Sequence, residues 1–330
     1  MFAIKYRKVF AAIALAIFTL SIAIIGFLGL LVGIDFTGGS LTEVSYSVAP
    51  EKAAVEEVIA QQNLGGFSVR ESASDTGKSA FLIRTRDLTE SERSTIENSL
   101  TTIGTEGEVT RFTSIGPVIG QELRDKAGWA VMGVVTIIVL YVAFAFAGIG
   151  TPVSSWMYGL VTILVLIHDV LVPTALMSIL GYTAGIEVDT LFVMAILAVL
   201  GYSVNDTIVI FDRVRENLIK NRTEQRTKRT EPGGVEREDV VYTLTAPYAD
   251  IVGSAVSETM ARSINTSLTT IVALLALYFL GGGVTQTFAL ILITGVVAGT
   301  YSSIFIASPL VVVYADYLLK KQSKNDASSK

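Results

Sequence analysis

Two carboxylic acids sit inside runs apolar enough for a lipid bilayer. Asp206 lies within AVLGYSVNDTIVIFDRVREN at 198–217, and Asp169 follows His168 in the run 153–180. An acid at the centre of a bilayer costs roughly 2.5–3.5 kcal/mol on insertion scales, so it needs a partner or a task. Tyr202 and Asp206 are one helical turn apart and share a face, with Gly201 and Asn205 on the adjoining strip. In SETMARSINTSLTTIVALL, Arg262, Thr266 and Thr270 recur at i, i+4 and i+8, and Asn265 and Thr269 run alongside. That is a polar stripe on an apolar helix. Burial favours the neutral acid and a neighbouring guanidinium favours the ionised one, so a changing separation of Asp206 and Arg262 would bind and release a proton.

Each of these groups also has a plainer role. Asp206 could be an inward-facing acid held by hydrogen bonds that never titrates. His168 and Asp169 are adjacent, so they are expected to point to different neighbours, each closing a helix–helix hydrogen bond where Pro173 loosens the backbone. Arg262 is close enough to a helix end to snorkel.

The elements that must position these groups follow from composition. Of 330 residues, 51% are hydrophobic and 17% charged, with a mean hydropathy of +0.57, which marks an integral membrane protein. Without cysteine there are neither disulfides nor thiolate metal sites, and one histidine is too few for a His-rich metal site. Nothing matches a phosphate-binding loop or a nucleophile with its base, so an enzyme is not expected. No cofactor beyond a proton gradient is called for.

Six apolar spans are expected. The first, 9–33, follows Lys5, Arg7 and Lys8 and is too long for a cleaved signal. The others are 128–148, 153–180, 191–211, 264–280 and 287–314. Basic residues at the N-terminus, in the first half of the segment 213–262 and in the tail (Lys320, Lys321, Lys324) place both termini and that segment in the cytoplasm. Segment 34–126, with 15 acidic and 9 basic residues, then lies on the far side. Its periodicities run strand 41–48, helix 50–62, strands 67–71 and 80–85, helix 88–103 with a Thr89/Glu92 capping box, and strand 108–114. The order β-α-β-β-α-β is that of a small ferredoxin-like sandwich. The expected organisation is thus a tail and first helix (1–33), a periplasmic α+β domain (34–126), helices two to four (127–212), a cytoplasmic loop (213–262), helices five and six (263–318) and a tail (319–330). Gly295 and Gly299 have the GxxxG spacing of close helix packing, with Ser303 one turn on.

With GIDFTGG at 33–39, IGPVIGQEL at 115–123, HDV at 168–170, GYSVNDTIVIFDRVREN at 201–217 and ARSINTSLTT at 261–270, the chain resembles the SecF subunits of the bacterial SecD–SecF protein-export complex, of the resistance-nodulation-division superfamily. The resemblance implies a six-helix half of a pseudo-symmetric bundle completed by SecD. It implies a place in the bacterial inner membrane beside the SecYEG channel and YajC, among membrane lipids, with unfolded preproteins as cargo and no nucleic acid. It implies proton conduction through Asp206 and Arg262, with a further acid in SecD; Asp169 and Asn205 are further candidates for the same proton path. Asp35, Gly38 and Gly39 belong to its first motif, where Asp35 reads as a turn-forming acid beside flexible glycines or as a functional one. Two departures stand out: an insertion around 227–249, and Thr285 and Gln286 where some relatives carry an acid. Two other functions compete with protein export. One is a small-molecule or lipid exporter of the same superfamily, against which the outer segment is small; the other is a structural subunit whose buried charges only pair helices.

Overall fold

The computed structural model describes residues 2–73, 79–146, 153–230 and 236–328. In chain order, a short turn α1 (Phe2–Lys5) leads into α2 (Arg7–Leu28). Then follow α3 (Ile34–Thr37), β1 (Gly39–Tyr46), α4 (Lys52–Gln61), β2 (Ser68–Ala73), β3 (Ser79–Thr85), α5 (Glu90–Thr102) and β4 (Glu108–Ile115). The remainder is helical except for one hairpin: α6 (Pro117–Ala145), α7 (Ser155–Ala184), α8 (Thr190–Lys220), β5 (Arg222–Thr230), β6 (Glu236–Leu244), α9 (Tyr248–Leu280), α10 (Gly283–Ser302), a π-helical turn Ser303–Ala307 and α11 (Ser308–Ser328).

Among the described residues, six helical segments are long and apolar enough to cross a membrane: α2, α6, α7, α8, α9 and the continuous stretch Gly283–Lys321. About half of the apolar window of α7, α8 and the last span is buried within the chain, against 6–11% for α2, α6 and α9. The centre of the bundle is therefore α7, α8 and α10, and the polar residues of interest ride on those helices and on α9. Close approach is set by small residues. A Cβ on Gly295 would meet Val199 at 2.2 Å, and one on Gly299 would meet Ser203 at 2.9 Å, so α10 can lie against α8 only with glycine at both places.

The domain between the first two spans is the expected sandwich, an antiparallel sheet in the order β2-β3-β1-β4 with α4 and α5 on one face. Its core is Val44, Tyr46, Val55, Ile59, Phe81, Ile83, Ile96 and Leu100, and the Tyr46 hydroxyl, pushed up to about 12 by burial, donates to the Leu100 carbonyl at 2.8 Å. The Thr89/Glu92 capping box starts α5.

The segment 213–262 differs from the expected loop. Helix α8 continues to Lys220 and α9 begins at Tyr248, leaving only 221–247 between them. Arg213 pairs with Glu216 at 2.7 Å and with Glu258 at 3.5 Å, so charges at helical spacing carry both helices past the apolar zone. Tyr248, Ile251, Val252, Ala255, Val256 and Thr259 are buried at amphipathic spacing, which makes the start of α9 a packed helix. The stretch 221–247, which overlaps the expected insertion, holds β5 and β6 as an antiparallel hairpin whose tip, 231–235, lies outside the described residues. The second span ends at Ala145; Gly148 is likewise outside them.

Candidate functional site

Asp169, fully buried, is the hub of three helices. Its Oδ2 accepts hydrogen bonds from Ser203 Oγ of α8 and from Ser302 Oγ of α10, the latter at 2.7 Å, while Oδ1 lies 2.9 Å from His168 Nδ1. The expectation that His168 and Asp169 point to different neighbours is corrected here. Both side chains enter the same packed layer, and the imidazole reaches back to its neighbour's carboxyl. The π-helical turn extends the hub. By crowding an extra residue into the turn it aims consecutive serines inward, Ser302 at Asp169 and Ser303 at Thr207 Oγ1, 2.8 Å away.

Asp206, one turn beyond Ser203 on α8, has a different setting. It is 3% exposed, and Ser263 and Ser267 of α9 stand beside its carboxyl. Yet, among the described residues, its Oδ2 and the Ser263 Oγ are both buried without a hydrogen-bond partner, as is His168 Nε2. Tyr202, on the same face as expected, donates to Ser267 Oγ at 3.2 Å, and Ser267 shares a 2.5 Å contact with Thr300 Oγ1. The α8–α9 interface is thus a chain of hydroxyls with an unsatisfied acid at its end. A buried polar group without a partner costs about 1–3 kcal/mol, so natural proteins keep few of them.

The remaining candidates do not join this group. Asn205 is exposed, on the strip of α8 adjoining that of Asp206. On α9, Arg262, Asn265, Thr266 and Thr269 are exposed and Thr270 is half-buried, while Ser263 and Ser267 face inward. The threonine hydroxyls bond to their own helix, Thr266 to the Arg262 carbonyl at 2.9 Å and Thr270 to the Thr266 carbonyl at 3.0 Å. The stripe therefore exists, but it looks out of the chain, and within the chain Arg262 and Asp206 are not paired.

Asp35 is more than a turn-former. Its Oδ2 accepts from the Thr190 backbone N–H at 2.9 Å and from Thr190 Oγ1 at 2.6 Å, so it caps the helix that carries Asp206, beside that helix's own cap Asp189. Gly33 N–H donates to the Val188 carbonyl at 2.9 Å, and Arg84 of β3 reaches the Val32 carbonyl at 3.0 Å and Glu187 at 3.4 Å. Burial raises the Glu187 carboxyl above its ordinary range, opposed by Arg84 and Arg70, and raises that of Asp189. Gly38, at φ +72°, lets the chain turn where a Cβ would meet Pro117 Cα at 2.7 Å; Gly39, at φ +122°, does so 2.6 Å from the Thr85 carbonyl. The two glycines thus seat the first motif against the start of α6.

Comparison with known proteins fits this architecture. Residues 95–233 and 236–317 match the family "Protein export membrane protein SecD/SecF, C-terminal". The protein translocase subunit SecF of Sebaldella termitidis is 36% identical over 90% of this chain and 84% of its own, and that of Thermobaculum terrenum 34% over 94% and 92%. The chain belongs to the SecF family.

The SecF fold extends to a solved structure. The crystal structure of SecDF from Thermus thermophilus, a translocon-associated membrane protein, superposes with a TM-score of 0.74 at 29% identity, covering 95% of this chain and 38% of that longer one. The SecF relatives are named for transport, not for catalysis. Ser203, Ser263, Ser267, Ser302 and the Asp35 cap are not among the residues the sequence patterns single out. The adjacent serines at 302–303, in an apolar run, were the available signal for the π-helical turn. For Ser263 and Ser267 the signal was an i, i+4 pair beside the more polar stripe that drew the eye.

Proposed function

We propose that this chain works beside SecD as the SecF subunit of a protein-export accessory complex, using the proton motive force to promote the late, ATP-independent stage of preprotein export through SecYEG. The observation that carries the mechanism is the orphaned Asp206 carboxyl at the end of the α8–α9 hydroxyl chain. An acid with no fixed partner is free to take up a proton, and its neutral form can donate to a hydroxyl where the carboxylate cannot. One proton driven through 100 mV supplies about 2.3 kcal/mol, enough to bias a conformational step.

The outward-facing Arg262 stripe supports the SecD assignment. Polar groups on a lipid-exposed helix face are unfavourable, and a second six-helix half packed on α8 and α9 would cover Arg262 and Asn205 and bring a further acid toward Asp206. The T. thermophilus relative is named as the fused SecDF, and SecD enters this proposal from that name. In the proposed orientation, both termini and the β5–β6 hairpin lie in the cytoplasm and the α+β domain on the far side of the bacterial inner membrane, with YajC as a further partner.

The test is preprotein translocation into membrane vesicles containing SecD and this chain, with and without an imposed proton gradient. Asp206→Asn and Arg262→Met should assemble normally and lose only the gradient-dependent part. If both retain it, Asp206 and Arg262 are helix-pairing groups and the motor lies in the partner chain.

A further inference from the structure

A cavity of about 1170 Å³ separates the α+β domain from the end of the helix bundle beneath it. Its roof is the open face of the β-sheet. Helices α4 and α5 cover the face that carries Val44, Tyr46, Phe81 and Ile83, so the alternate residues Leu41, Glu43, Leu82, Arg84 and Arg111 are turned the other way, into the cavity. Its floor combines apolar side chains, Met177 of α7, Phe192 of α8, and Phe288 and Ile291 of α10, with a polar rim of Asp35, Glu187, Asp189 and Gln286.

The roof is patterned. Glu43 stands opposite Leu82 on one side and Arg111 on the other; Leu41 stands opposite Arg84 and Thr113. Each aliphatic side chain is thus flanked by charge, and both signs are present. A pocket built for a phosphate or a metal ion would show one sign of charge converging on a point. Charges of both signs interleaved with apolar side chains on roof and floor instead suit a ligand that is itself mixed: the side chains and backbone dipoles of an unfolded polypeptide, held without preference for sequence. The volume also exceeds the roughly 300–1,000 Å³ usual for small-molecule pockets. The Gly33–Val188, Asp35–Thr190 and Arg84–Glu187 contacts hold roof and floor together along one side of the cavity.

We infer that this cavity is a contact site of the SecF-type chain itself for exported, unfolded polypeptide, lying between the sheet face and the α7–α8–α10 floor. The inference rests on the translocase reading and adds to it a place where cargo touches this subunit.

The test is site-specific photocrosslinking in membranes containing SecD, SecYEG and the full chain. A benzoylphenylalanine replaces Leu41, Leu82 or Phe288 in separate variants, and Glu57 or Ser94, exposed on the helices of the opposite face, as controls. A preprotein arrested in mid-translocation should crosslink from the three cavity positions and give no band from Glu57 or Ser94. Gradient-dependent export measured in the same membranes verifies that each variant is folded, and three positions guard against one failing. Crosslinks to SecD or lipid alone, with export intact, overturn the inference and leave the translocase reading standing. Absence of gradient-dependent export in the unsubstituted chain overturns the translocase reading, and the inference with it.

Discussion

Asp169 and Asp206 are both acids in the core of a membrane bundle, 0% and 3% exposed, yet they are built oppositely. Asp169 is held by Ser203, Ser302 and His168 from two neighbouring helices and its own. Asp206 has hydroxyls beside it and a buried oxygen that bonds to none of them. The difference teaches that burial of an acid says little about its role until its partners are counted. A satisfied acid pins helices together, whereas an unsatisfied one retains a choice of protonation and partner.

The largest effect should come from removing the pin. Asp169→Ala removes the carboxyl shared by Ser203, Ser302 and His168, of which Ser302 keeps the Gly299 carbonyl as an acceptor; at about 1–3 kcal/mol for each buried polar group left unpaired, it should show as a large loss of stability in reversible unfolding in detergent. Asp206→Asn, by contrast, should barely move that unfolding curve; equal losses for the two variants would erase the distinction. Next, Gly299→Ala should press on Ser203 and weaken the pin indirectly, by about 1–3 kcal/mol, with a smaller loss than Asp169→Ala. Arg262→Met, on the outer face of α9, should change the stability of the isolated chain by less than about 0.5 kcal/mol and leave its co-purification with SecD intact.

The smallest effect is a control far from the bundle. The Arg86 guanidinium hydrogen-bonded to Glu92 lowers that carboxyl from 4.5 to about 2. Its contribution to the start of α5 is present above pH 4.5 and fades as the pH falls toward 2. Hydrogen exchange in α5 should therefore quicken across that window, and Glu92→Gln should flatten the dependence without touching export.

The α+β domain was the most legible part of the chain. Strand alternation, two amphipathic helices and the Thr89/Glu92 box are local patterns, and each element stands where its pattern lies. The six spans were legible for the same reason, from length and hydropathy. The start of α9 was not. Its charged residues, Asp250 and Glu258, interrupt the apolar pattern, and the helix is accounted for by the burial of Tyr248, Ile251, Val252, Ala255 and Val256 against the bundle, with the Tyr248 and Tyr158 hydroxyls 2.8 Å apart. The Asp35 cap was also hidden, since 155 residues separate it from Thr190.

What the sequence by itself determined is therefore the list of elements and the suspects among them: six spans, a β-α-β-β-α-β domain, Asp206, Asp169 and the Arg262 stripe. These follow from periodicity and from the energetic oddity of a charge in an apolar run, both of which are properties of neighbouring residues. Only the tertiary structure decided which suspect has partners. That depends on how each helix is rotated and how closely glycine lets it approach, and a π-helical turn at Ser303 or a serine on a facing helix changes the answer without changing any pattern along the chain.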